Sequence, residues 1–322
     1  MKLRISAKLA FGALAVAGAL VHGVAAAQSV AVSSIVEHPA LDAIRDGVKE
    51  ALTEAGYTEA NGLDWEFQTA QGNTAIAAQI ARKFVGEKVD VIVAIATPAA
   101  QAVVAATKTI PVVYSAVTDP VAAQLVSTMD ASGTNVTGVS DMLVLSKQVD
   151  LIKQILPDAK RVGMVYNPGE ANSVVVVKEM RELLTQAGMT LVEASAARTV
   201  DVGAAARSLI GKVDVIYTNT DNNVVSAYEA LVKVGNDAKI PLIASDTDSV
   251  PRGAIAAMGV NYRNLGLQTG KVVISILKGE KPGDIPSTTS DKLELFVNLT
   301  AAEKQGVTLS DAFIKSATKV IE

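Results

Sequence analysis

The chain has 322 residues, 49% of them hydrophobic, 4% aromatic and 19% charged, with no cysteine and a formal charge of −4. That length and apolar content can bury a sizeable core and suit two domains better than one. The acidic balance argues against nucleic acid or an anionic bilayer as partner, and the lack of cysteine leaves stability to the core rather than to disulfides.

The first 27 residues read as a cleavable secretory signal. Lys2, Arg4 and Lys8 precede an apolar run over residues 9–21, and Ala25-Ala26-Ala27 sets small residues before a cut ahead of Gln28. The run is too short for a comfortable membrane span. The expected product is a periplasmic chain of residues 28–322. It carries 26 Lys plus Arg against 33 Asp plus Glu, a net charge of −7, and keeps His38 as its one histidine. A single histidine without cysteine excludes an ordinary zinc site and any catalytic system needing two histidines.

From there the sequence alternates β-branched apolar runs with amphipathic helical stretches, and it does so twice. A short strand at 30–36 or 162–166 opens each half, followed by a helix closed by Ala-Gly. KEALTEAGY, ending at Tyr57, has its partner in RELLTQAGM, ending at Met189. VDVIVAIATP (89–98) pairs with VDVIYTNTDN (213–222), and IPVVYSAVTD (110–119) with IPLIASDTDS (240–249), at offsets of 132, 124 and 130. Continuous apolar strands suit a parallel sheet covered on both faces, so each half is expected to be a doubly wound α/β lobe. The alternating segment LDWEFQ reads as a strand, with Trp65 packed rather than stacked on a ligand. A Gly- and Ser-rich strand after residue 132, a helix at 145–156, a strand at 253–260 and a helix at 262–277 imply three crossings between the lobes. The expected division is 28–139 plus 261–290 for lobe 1 and 140–260 plus 291–322 for lobe 2. Such crossings make a hinge for closing over a small ligand.

In open α/β sheets ligands gather at the carboxyl ends of strands, so the loops after each strand carry the candidates. Thr97 aligns through the repeat with Asp221, and Ala116 with Asp246. Lobe 1 thus offers hydroxyls at helix N-termini, which suit a carboxylate, whereas lobe 2 offers Glu170, Asp221 and Asp246, which suit an ammonium. An α-amino acid would satisfy both. Each residue also has a plainer reading: Thr97, Ser173, Asp221 and Asp246 can be N-caps, and His38 before Pro39 can be a helix start.

The segments HPALDAIRDGVKEAL, ATPAAQAV, IPVVYSAVTDPVAAQLV, GVSD, YNPGEANS and LFVNLTAAEKQGVTLSDAF together resemble the ABC-transporter substrate-binding protein family associated with tryptophan and tyrosine uptake. The resemblance spans nearly all of the chain after the signal. It implies a type I periplasmic binding protein fold, delivery of ligand to ABC permease membrane subunits, a monomer, and neither catalysis nor a cofactor. By position in that fold, Thr97, Ser115 and Val117 correspond to carboxylate-binding loops. Glu170, Asn172, Ser173, Asp221 and Asp246 correspond to the facing loops, with Asp246 as the ammonium partner. His38 and Leu41 would flank the ligand's side chain, aromatic or branched.

Competing functions share the fold or lack a signature. A binder of sugars, purines or polyamines, or a sensory receptor partner, would use the same cleft. A hydrolase built on acids such as Asp246 and Asp248 lacks support, because the chain has no Gly-x-Ser-x-Gly elbow, Walker loop or Gly-x-Gly-x-x-Gly turn.

Overall fold

The computed structural model describes residues 28–290 and 292–322; the expected signal segment, 1–27, and its cut lie outside the described residues. Strand and helix alternate through β1 (Gln28–Ser34), α1 (Pro39–Glu54), β2 (Leu63–Thr69), α2 (Thr74–Glu87), β3 (Val91–Ile95), α3 (Thr97–Ala106), β4 (Val112–Ser115) and β5 (Val136–Ser140). The chain then crosses into α4 (Leu145–Ile155), β6 (Arg161–Tyr166), α5 (Ala171–Gln186), β7 (Thr190–Ser195), α6 (Val202–Ser208), β8 (Val215–Thr218), α7 (Asn222–Ser226), α8 (Tyr228–Ala238), β9 (Leu242–Ala244) and β10 (Ala256–Val260). It returns for α9 (Tyr262–Leu277) and β11 (Thr288–Thr289). It leaves again for β12 (Leu293–Asn298), α10 (Leu299–Lys304), α11 (Asp311–Ser316) and β13 (Lys319–Ile321).

Two sheets result. The first runs β11-β5-β4-β3-β1-β2 with every pairing parallel. The second runs β13-β12-β10-β9-β8-β6-β7, parallel except where β12 meets β10. That exception follows from the crossings: β10 leaves its sheet at its carboxyl end to reach the other lobe, and β12 re-enters from that side, so the two must run antiparallel. The central strands β3, β4, β8 and β9 are buried along their whole length, as covered parallel strands must be. Trp65 lies in the edge strand β2, half-buried, with the Lys49 ammonium 5.6 Å from its ring centroid, and takes no part in the cleft.

The three crossings sit side by side at β5, β10 and the β11–β12 connection, so strand order in each sheet also measures distance from the hinge. From the hinge outwards lobe 1 presents β5, β4, β3, β1, and lobe 2 presents β10, β9, β8, β6. At the rim farthest from the hinge, Gly72 after β2 approaches Thr199 and Asn223 of the other lobe.

Lobe 1 depends on one close helix contact. An asparagine cap starts α9, Asn261 Oδ1 accepting from the Asn264 N–H at 3.0 Å. The helix then lies against α1 through Gly266, Gly270 and Gly47. A Cβ on Gly47 would stand 2.5 Å from the Arg263 carbonyl oxygen, and one on Gly266 would strike the Ile44 carbonyl oxygen. Backbone cannot step aside as a side chain can. Gly266→Ala is therefore expected to cost about 1–3 kcal/mol or more of folding stability, read as a lowered urea midpoint at unchanged slope.

Candidate functional site

A narrow cavity with little free volume lies between the lobes at the carboxyl ends of both sheets. Its walls divide into three chemistries.

Nearest the hinge are two carboxylates. Asp141 follows β5 and Asp246 follows β9, and both line the cavity while almost wholly buried. Asp141 accepts from the Tyr262 hydroxyl at 2.9 Å and from the Thr118 hydroxyl at 3.2 Å. Asp246 accepts from the Ser249 N–H at 2.8 Å and the Ser249 hydroxyl at 2.7 Å, capping the 3-10 turn Thr247–Ser249. Burial raises both pKa values above the ordinary carboxylate range, and the charge of Asp246 adds to the rise at Asp141. Among the described residues every ion pair lies elsewhere, so neither carboxylate has an ion-pair partner, although the Arg252 charge partly offsets the rise at Asp246. Two unpaired buried carboxylates side by side are costly and suit a cation delivered from outside.

The middle of the wall is backbone. Ala96 and Ala116 line the cavity at the ends of β3 and β4, and both hold positive φ, 74° and 52°. Such strain in alanine persists where the surroundings fix it, here partly through the Ala96 N–H donating to the Ser115 carbonyl at 2.9 Å. Ala96 is followed directly by α3, whose first-turn N–H groups at Thr97 and Ala99 have no partner in the helix, Pro98 having none to offer. The Thr97 hydroxyl is buried and unpartnered. This end of the helix suits a carboxylate.

The last section is apolar with isolated polar atoms. Ala40 and Leu41 of α1 and Val225 of α7 line it, together with His38, Asn172, Thr220 and Asn222. His38 occupies the N-cap position of α1 but makes no side-chain cap bond, and its buried Nδ1 has no partner. Burial, with the nearby Arg252 charge second, lowers its pKa to about 3, so the imidazole is neutral. The lobes meet here: Thr118 and Thr220 hydroxyls stand 3.5 Å apart across the cleft.

Of the ten residues expected from sequence, His38, Leu41, Asn172 and Asp246 line this cavity. Thr97 adjoins it. Ser115 turns its hydroxyl to Thr269 at 2.8 Å, and Val117 is fully buried in the core, leaving Ala116 between them on the wall. Asp221 is spent on local bonds: it accepts from the Asn167 N–H and the Ser173 hydroxyl, each at 2.6 Å, and from the Asn223 and Val224 N–H groups, each at 3.0 Å. Glu170 stands behind the wall, accepting from the amides of Asn222 at 2.6 Å and Asn172 at 3.3 Å. Burial and the adjacent Asp221 push the Glu170 carboxyl upwards. Glu170 thus braces Asn172 and Asn222, while Ser173 and Asp221 hold each other behind the wall. Asp141, Tyr262, Thr220, Asn222 and Ala96 carry no expected role from the sequence, and Ala116 enters there only as the repeat partner of Asp246. Asp141 stood in the GVSD segment, but lay on a crossing strand rather than in a repeated loop.

Residues 29–321 match the family model described as ABC transporter substrate binding protein. The chain belongs to that family. The lobes and crossings are those of type I periplasmic binding proteins. The chain is 41% identical over 271 residues to a tyrosine-binding protein of Clostridioides difficile strain R20291, covering 84% of this chain and 79% of that one. It superposes with a TM-score of 0.88 on a Streptococcus pneumonia ABC domain in complex with L-Trp, 33% identical, covering 91% of this chain and 99% of the other. Against a ligand-free, open substrate-binding protein with adhesive properties from Clostridium difficile, 39% identical over 92% of this chain and 99% of the other, the TM-score is only 0.69. Overlap is thus poorer where identity is higher, which identifies the present lobe arrangement of this substrate-binding protein as a closed one. As the solute-binding component of an ABC transporter it works with a membrane permease outside the cytoplasm. None of its described helices is long and apolar enough to cross a membrane.

Proposed function

We propose that this substrate-binding protein takes a free α-amino acid with an aromatic side chain, holding the ammonium between Asp141 and Asp246 and the carboxylate at Thr97 and the start of α3. The observation that carries the reading is the pair of buried carboxylates without an ion-pair partner at one end of the cleft, set beside a helix N-terminus with unpartnered donors. The tyrosine and tryptophan named for two relatives support the aromatic class. The protein would act as a periplasmic monomer after removal of residues 1–27, without catalysis, and hand its ligand to the permease. Binding starts on one lobe and is completed when the other closes.

Calorimetric titration of ligand-stripped protein checks this. L-tyrosine or L-tryptophan should bind, and the N-acetyl and methyl-ester derivatives should each bind about 10- to 150-fold more weakly, the worth of a charge-assisted hydrogen bond. Equal affinity for the blocked forms, or binding confined to sugars, purines or polyamines, would overturn the assignment.

A further inference from the structure

The geometry points to His38, with Asn172 opposite it, as the residues that read a hydrogen-bonding group at the far end of the ligand's side chain, selecting tyrosine or tryptophan over phenylalanine and branched-chain amino acids. The inference rests on the zwitterion site proposed above and adds the side-chain end of it.

Strand order carries the argument. Asp141 follows β5 and His38 follows β1, three strands farther from the hinge; at about 4.8 Å per strand this separates them by roughly 14 Å along the sheet edge. On the facing lobe Asp246 follows β9 and Asn172 follows β6, two strands farther out. Both sheets therefore place a carboxylate near the hinge and a neutral polar side chain far from it, within one cavity. An amino acid anchored by its ammonium at the hinge end and its carboxylate at α3 must point its side chain towards His38 and Asn172.

Both residues present a polar atom with nothing to bond. His38 Nδ1 and Asn172 Oδ1 are buried and unpartnered. The rest of the Asn172 side chain is fixed: its amide donates to the Thr220 carbonyl at 3.1 Å and to Glu170 at 3.3 Å, leaving its oxygen as the free acceptor. Around them Ala40, Leu41 and Val225 supply an apolar wall. An apolar section with one or two free hydrogen-bonding atoms matches a ring bearing a hydroxyl or an N–H. A neutral imidazole offers one donor and one acceptor, so it can serve a phenol in either sense or accept from an indole N–H. A plain hydrocarbon side chain would bury these atoms unpaired, the arrangement by which binding sites reject analogues lacking a polar group.

The test is the affinity of wild-type protein and His38→Leu for L-tyrosine, L-tryptophan, L-phenylalanine and L-leucine. In the wild type tyrosine or tryptophan should exceed phenylalanine by about 5- to 150-fold. In His38→Leu that ratio should fall to within about threefold, with phenylalanine binding held or improved, an outcome that mere structural damage would not give. Asn172→Ala should narrow the ratio too, which keeps the test open if His38→Leu does not fold. Equal wild-type affinity for tyrosine, tryptophan and phenylalanine, with blocked derivatives still rejected, would overturn this inference alone. Failure of all four to bind would overturn the zwitterion site itself.

Discussion

Asp141→Asn should weaken amino-acid binding by between about 30-fold and several thousand-fold, the cost of about 2–5 kcal/mol for losing one member of a buried, hydrogen-bonded charge pair. The substitution keeps the shape of the side chain and leaves an oxygen to accept from Tyr262 or Thr118, both of which bond the carboxylate. What it removes is the charge that an ammonium needs. The same change should leave the ligand-free protein as stable or more stable, because Asp141 is buried without an ion-pair partner and burial disfavours its charge. Lost affinity with retained or raised melting temperature is a signature that general damage does not produce. Asp246→Asn should behave alike. If Asp141→Asn binds as the wild type does while Asp246→Asn fails, the ammonium belongs to Asp246 alone.

That prediction differs from the one the sequence suggests, and the reason is physical. Buried apolar runs made the strands legible, the near-constant repeat made the two lobes legible, and α9 spans the 16 residues its pattern predicts, Tyr262–Leu277. The loops after the strands were legible as the site. What could not be read is which loop acids are free to meet a ligand. Asp221 and Asp246 are equivalent in residue type and both cap short helical turns. Asp221, however, is enclosed by the Asn167 backbone and the Ser173 hydroxyl, both brought to it by a strand that is its neighbour in the sheet and about 50 residues away in sequence. Asp141 was hidden for the converse reason. It follows a crossing strand with no repeat partner, and the fold brings it to the same cavity wall as Asp246. The backbone donors near Ala96 and Ala116 depend on positive φ at two alanines, a conformation with no residue-type signal, unlike a glycine.

Ligand affinity should fall on acidification by about 50-fold between pH 6.5 and pH 4.5, through His38 alone. The imidazole belongs to lobe 1 and lines the cavity that Val225 of lobe 2 also lines, and the lobe 2 Arg252 guanidinium, bonded to the Val225 carbonyl at 2.7 Å, is near enough for its charge to act on the imidazole. Parting the lobes gives it water and an ordinary pKa near 6.5, whereas closure buries it and lowers the value to about 3. A lowered base favours closure fully above pH 6.5 and loses that contribution as pH falls towards 3, since each closure below 6.5 must expel a proton. Protonation of Asp141 and Asp246, raised by burial, weakens ammonium binding in the same direction, so the histidine share is isolated by comparison with His38→Gln. That variant should lose about one power of ten less affinity per pH unit below 6.5 than the wild type. Parallel pH profiles for the two proteins would mean that the bound state leaves His38 open to water, and the closed cleft described here would then not be the ligand-holding form.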